Sequence, residues 1–188
     1  MNELCPRRAP LEALLQEHTP ACDVEAGYRD RMLTLLDSPG DPFSREHFQP
    51  GHFTASGFVL SPDARSVLLI LHRKLTRWLQ PGGHVDPEDA DLFAAACREI
   101  REEVGIGGAR LERPGVFDVD IHRIPERRSE PVHEHFDVRF LVRAQTTAID
   151  ANDESHDAAW VRLDDLARRM TDPCEARVIR KLAGLAIR

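Results

Sequence analysis

The stretch PGGHVDPEDADLFAAACREIREEVGI, residues 81–106, decides how this chain folds and what chemistry it can carry. A long helix is expected over roughly Pro87 to Val104, closed by Gly105. Asp86 is placed to cap it, Pro87 suits the first helical position, and Asp89 falls three residues after the cap. Residues three and four apart on a helix share a face, so Glu99, Glu102 and Glu103 project their carboxylates to nearly the same place. Three such charges repel one another and oppose the dipole at a helix C-terminus. A divalent cation reverses that penalty, and hard ions such as magnesium prefer oxygen ligands. Arg98 can reach Glu102 at i, i+4 and hold it in orientation. A solvated helix face is the ordinary reading of REIREE taken alone. Gly82 and Gly83 before the helix, and Gly105 directly after the acids, favour the functional one, because local conflicts of this kind gather at sites.

Outward from this segment, FTASGFVL and SVLLILH read as strands joined by a turn at Ser61–Ala64. GVFDVDIHRI and VHEHFDVRFLVRA alternate apolar and polar residues, so each is expected to be a half-buried strand. AAWVRL is a shorter strand, and LDDLARRM and the tail from Cys174 read as helices. Upstream, Leu11, Leu14 and Leu15, then Tyr28, Met32, Leu35 and Leu36, recur at helical spacing, and the breaker cluster DSPGDP follows. Residues 1–50 are therefore expected to form a helical extension packed on a main domain at 51–188, with a lid or dimer arm as its other reading. Strands interspersed with helices imply an α/β or α+β layered fold.

Bulk properties narrow the function. The 188 residues suit one domain with a sizeable core, and the net charge of −7 argues against general affinity for nucleic acid. No apolar run is long enough to span a bilayer, and the N-terminal sequence does not read as a signal peptide. Cys5, Cys22, Cys97 and Cys174 are scattered, which suggests free thiols in a reducing compartment, the cytoplasm.

The helix segment resembles the Nudix box, G-x5-E-x7-R-E-U-x-E-E-x-G-U, where U is a bulky aliphatic residue. Arg98, Glu99, Ile100, Glu102, Glu103, Gly105 and Ile106 match its second half in full. The first half departs: between Gly83 and Arg98 there is one residue more than the family spacing. The family's first Glu falls on Ala90 counted back from Arg98 and on Asp89 counted forward from Gly83, so Asp89, Glu88 or Asp91 stands in for it. The likeness extends through HFTASGFVL, HRKLTRWLQPGGHVDP, FDVDIHRIP, HEHFDVRFL and DESHDAAWVRLDDL, over roughly residues 50–166.

The resemblance implies a Nudix-type α/β/α sandwich with a mixed sheet. It implies a pyrophosphohydrolase that cleaves a nucleoside diphosphate linked to another moiety, using Mg2+, with Mn2+ as the other candidate. Glu99, Glu102 and Glu103 would hold the metal, Gly82 would add a backbone carbonyl, and Glu154, before Trp160, would be a further metal-binding or catalytic acid. Glu103 or Glu154 is the expected base. Gly83, Arg98 and Gly105 are the structural members of the box. The expected partner is a small nucleotide-diphosphate substrate, with homodimer formation left open.

Two further groups stand out. His133, His135 and Asp137 share one face of their strand, and Asp118, Asp120 and His122 share one face of the preceding strand. If those strands pair, the polar faces coincide and can line a substrate pocket, bind a transition metal through imidazoles, or simply meet solvent. His72, Arg73 and Lys74, after an apolar strand, can reach substrate phosphates or stand in solvent. His84 can contact the site or fill a turn, and Trp78 and Trp160 read as packing residues rather than base-stacking platforms. Two alternatives to the hydrolase are an isopentenyl-diphosphate isomerase of the same fold and a non-catalytic sensor or interaction domain. The first lacks its cysteine here in the Gly82–His84 segment, and the second commonly loses the acidic cluster that this chain keeps.

Overall fold

A computed structural model describes residues 6–72, 76–127, 130–150, 155–172 and 175–185. The elements run α1 (Arg8–Glu17), α2 (Asp23–Leu36), β1 (Gly51–Leu60), β2 (Ser66–His72), β3 (Arg77–Leu79), β4 (Gly82–His84), α3 (Leu92–Val104), β5 (Arg110–Leu111), β6 (Asp118–Ile124), β7 (His133–Arg143) and β8 (Ser155–Arg162). A 3-10 turn at Leu163–Asp165 leads to α4 (Leu166–Arg169) and α5 (Ala176–Ala183). This is a mixed sheet with helices, the α/β architecture expected from the sequence. None of the described helices is long and apolar enough to cross a membrane.

The chain forms two compact units, and β1, α3 and β7 each contribute one part to either. In the first unit, α1, α2 and the loop to Ser56 join residues 83–96 and 115–140. Here β6 and β7 pair antiparallel, with Val119 opposite Val138 and Ile121 opposite Phe136. That registry puts the apolar residues of both strands on one face, where α2 packs against β6. Leu11, Leu15, Met32, Leu35 and Leu36 are all buried. Arg31 lies over the Phe136 ring at 5.5 Å and ion-pairs with Glu134. In this unit α1 and α2 pack on each other and α2 packs on β6.

The second unit is built on β2. β8 pairs along β2 from Ser66 to His72, so β1 and β3 must share its other edge. The Leu60 carbonyl accepts from the Ala144 N–H, placing β7 beside β1, and β5 closes that side through Arg110–Arg143 and Leu111–Val142. In the first unit the Pro50 carbonyl accepts from Glu134. The same sequence offset at both ends means that β1 and β7 run parallel, whereas β1–β2 and β6–β7 are antiparallel. All ten residues of β1 are buried, the polar His52, Thr54 and Ser56 as well as the apolar ones. A side chain at Gly57 would stand 2.7 Å from Ile100 Cδ1, so glycine is what lets α3 lie close against β1.

The expected turn is present: the Ala64 N–H reaches the Ser61 carbonyl at 2.8 Å. β3, β4 and β5 are two or three residues long and were not anticipated, because such short pairs carry no periodicity. Arg77 of β3 reaches Asp172 and Glu175, each at 2.8 Å, which ties this strand to the start of α5.

Candidate functional site

The helix that presents the carboxylates starts later than expected. Asp86 does not cap it. Residues 86–90 form a separate turn in which the Asp86 N–H donates to Asp89 Oδ2 at 2.8 Å, and the Asp89 N–H to the Asp86 carbonyl at 3.1 Å. Asp91 is the cap, its Oδ1 accepting from the Ala94 N–H at 2.8 Å. The turn absorbs the additional residue of GGHVDPEDAD, so α3 from Leu92 onward keeps its phase. The other end is as read: Gly105 adopts φ +71° and its N–H reaches the Arg101 carbonyl at 3.0 Å.

Glu103 is buried, and its Oε2 accepts from the Gly82 N–H at 2.9 Å. This bond joins the last turn of α3 to the glycine loop that precedes it by 21 residues. A single guanidinium nitrogen of Arg98 lies 2.9 Å from Glu99 Oε1 and 3.2 Å from Glu102 Oε2. The arginine therefore holds two of the acids toward one point, as the i, i+4 spacing suggested for Glu102. Glu102 is half exposed, whereas Glu99 is largely covered. Gly82, Arg98, Glu99, Glu102 and Glu103 all belong to the second unit.

The polar strand faces do coincide. Asp120 is opposite Asp137, His122 opposite His135, and Asp118 opposite Arg139. Most of this face is buried, with Asp118, Asp120, His133 and Asp137 all covered, while His122 at its end is exposed. Arg139 is the reason three aspartates can sit there. Its guanidinium reaches Asp137 at 2.8 Å, Asp120 at 3.0 Å and Asp118 at 3.3 Å. Burial alone would lower its pKa, but the three carboxylates outweigh burial and raise it, so the arginine stays charged. Asp137 also accepts from Ser56 at 2.9 Å and Thr54 at 3.3 Å.

His133 and His135 instead meet residues that the strand pattern did not connect to them. The His52 ring from β1 lies 5.1 Å from His133 and 4.8 Å from His135, and His84 from β4 lies 5.2 Å from both His52 and His135. Burial first, and then neighbouring imidazoles, push His135 down to about 2 and His52 down to about 4. The strand read from the sequence begins at Phe53, and His52 carried no signal of its own, since which strand lies beside β7 is not written in local sequence. Arg73, Lys74 and Glu154 lie outside the described residues.

Comparison with known proteins agrees with this architecture. Residues 50–182 match the family model described as NUDIX domain. A protein of Bacillus subtilis (strain 168) named "Putative 8-oxo-dGTP diphosphatase" is 35% identical over 66 residues, which is 35% of this chain and 44% of that protein. The chain thus matches under half of that relative's length. Among solved structures, a NUDIX-family hydrolase from Clostridium perfringens is similar with TM-score 0.54 at 23% identity, over 76% of this chain and 99% of that one. The NUDIX domain of Shewanella oneidensis NrtR, crystallised with ADP ribose, has TM-score 0.54 at 17% identity, over 71% of this chain and 87% of its own. An Ap4A hydrolase from C. elegans has TM-score 0.51 at 17% identity, over 72% of this chain and 97% of its own. With the helix–glycine arrangement of its box in place and a family match over most of its length, the chain belongs to the Nudix family, whose members hydrolyse nucleoside diphosphate derivatives.

Proposed function

We propose that this protein is a magnesium-dependent pyrophosphohydrolase acting on a small nucleoside diphosphate derivative. The carrying observation is the end of α3: Glu99, Glu102 and Glu103 stand together on its last turns, and Glu103 is fastened to Gly82. Three carboxylates form a hard, anionic donor set that suits Mg2+, and Mn2+ after it. Glu99, Glu102, Glu103 and the Gly82 carbonyl would hold the ion, which supplies charge neutralisation at the phosphoryl oxygens and acidifies bound water.

The chain's own residues account for the positioning. The Gly82 N–H fixes one Glu103 oxygen and directs the carboxylate. Arg98 keeps Glu99 and Glu102 from swinging apart under mutual repulsion. Asp91 and Gly105 fix where the helix starts and stops, and hence which residues occupy its final turns. Glu103, buried against the loop, is the acid we assign to accept a proton from the attacking water. The reaction breaks one phosphoanhydride bond, with water supplying the new oxygen on phosphorus and the proton passing to the base.

The similar proteins point to nucleotide ligands: two are named for acting on 8-oxo-dGTP and on Ap4A, and a third was crystallised with ADP ribose. A panel of these with purified full-length protein in Mg2+ and in Mn2+, read as mononucleotide or phosphate release, tests the proposal. Turnover that vanishes in Glu102→Gln/Glu103→Gln is the expected result. Unchanged turnover in that variant overturns the mechanism, and no turnover on any diphosphate favours the sensor reading.

A further inference from the structure

We propose that the protein carries a second metal site, distinct in chemistry from the carboxylate cluster: a late divalent transition ion of the zinc class, held by His52, His133 and His135. One ring nitrogen from each of these three residues lies within 4.8 Å of the other two. Ligands in a tetrahedral zinc complex with Zn–N of about 2.0–2.1 Å stand about 3.4 Å apart, so an ion would draw these nitrogens inward by roughly 1 Å.

The orientation of the rings supports the assignment independently of their spacing. His133 Nδ1 lies 2.8 Å from the Pro131 carbonyl, and His52 Nδ1 lies 3.2 Å from the His47 carbonyl. A carbonyl only accepts, so each Nδ1 carries the proton and each Nε2 presents a lone pair. Metal-bound histidines are typically arranged in this way, with the distal N–H donated to backbone. His52 is 1 % exposed, yet its Nε2 has no hydrogen-bond partner among the described residues. A buried nitrogen left in that state costs about 1–3 kcal/mol. A metal ion in the trio would satisfy it.

Backbone registry brings the three together. His133 and His135 share a face of β7 by their two-residue spacing, and the parallel neighbour β1 places His52 beside them. Phe48 sits edge-on to the His133 ring at 5.1 Å and adds an apolar wall. All-imidazole donors suit zinc, cobalt or nickel and are poor ligands for magnesium. Three protein ligands leave room for a fourth, as in catalytic zinc sites.

The test uses the full chain, freed of metal by chelator and kept in excess Mg2+ so that the carboxylate cluster is saturated. Co2+ is titrated in while its visible d–d bands are recorded, and Zn2+ is then added as competitor. The expected result is one equivalent of Co2+ in a nitrogen-ligated environment, displaced by Zn2+. Affinity should fall by about tenfold or more in His133→Ala and in His135→Ala. It should change by less than about twofold in Glu99→Gln/Glu102→Gln/Glu103→Gln, which separates this site from the proposed magnesium site. If either histidine variant fails to fold, imidazole 15N shifts of the wild type on adding Zn2+ replace it, and must move at His52, His133 and His135. No Co2+ or Zn2+ binding by wild type, binding lost with the glutamates but kept without the histidines, or unmoved imidazole shifts would each overturn the proposal.

Discussion

The backbone N–H of Gly82 donates to Glu103 Oε2 at 2.9 Å, so the loop that opens the sequence motif and the helix turn that closes it are held by one bond. The bond separates two roles of Glu103 by experiment. Glu103→Gln keeps an amide oxygen for Gly82 while removing the charge, so stability should stay near wild type. Turnover should fall by about a hundredfold or more, the range expected for losing a metal-linked base. Glu103→Ala should in addition lose about 1–3 kcal/mol of stability, because the Gly82 N–H loses its acceptor in a largely covered place. Full activity in Glu103→Gln at saturating Mg2+ would remove Glu103 from the chemistry.

Gly105 ends α3 at φ +71°, and a Cβ there would stand 2.6 Å from Asp150 Cβ. The Asp150 N–H also donates to the Val104 carbonyl at 3.0 Å, so that neighbour cannot move without losing a helix-end contact. Gly105→Ala therefore combines a left-handed backbone penalty of about 1–2 kcal/mol with a steric clash. Urea unfolding should show a loss at or above the top of that range. A loss under about 0.5 kcal/mol would mean that the Asp150 segment yields readily.

The helix and its acids were legible because their signals are local. The spacing of Glu99, Glu102 and Glu103 needs only the helical repeat, and Gly105 needs only its own backbone. The polar faces of β6 and β7 were legible for the same reason, given their pairing. The helix start was misread because DPEDAD offers two overlapping caps: Asp86 has Pro87 behind it, but Asp91 is the residue whose side chain reaches Ala94. Local sequence ranks such alternatives poorly when a turn can absorb the residues between them. His52 joining His133 and His135 was not legible at all, because it depends on β1 lying parallel to a strand 84 residues further on, a long-range choice made by packing.

His18 and Glu25 form a buried pair at 2.9 Å, with side chains 2 % and 0 % exposed. The other His18 nitrogen lies 3.2 Å from the Val116 carbonyl, and the other Glu25 oxygen accepts from the Ala21 N–H at 2.7 Å. His18 Nε2 and Glu25 Oε1 thus each lose this buried contact when the other side chain is removed. Removing one partner of such a buried pair typically costs about 3–5 kcal/mol. His18→Ala and Glu25→Ala should each lower stability by amounts in that range, and the double variant should cost less than their sum. Strict additivity in that cycle would show that the two groups are not coupled.

Arg98 acts on the site through its neighbours, since one of its nitrogens contacts both Glu99 and Glu102. Replacing it with methionine keeps the aliphatic stem and removes the positive charge. Two effects on Mg2+ then oppose each other. Losing a nearby cation strengthens attraction for the metal, while freeing two carboxylates costs roughly 0.5–1.5 kcal/mol for each side chain that must be ordered again. The Mg2+ concentration for half-maximal rate should therefore move by no more than about threefold, whereas kcat should drop by about tenfold or more because reacting groups are misplaced. Lysine keeps the charge but offers a flexible point contact in place of a planar fork, so Arg98→Lys should recover only part of kcat. A large rise in the Mg2+ requirement with kcat preserved would instead make Arg98 a determinant of metal affinity, and steady-state rates across an Mg2+ series distinguish the two.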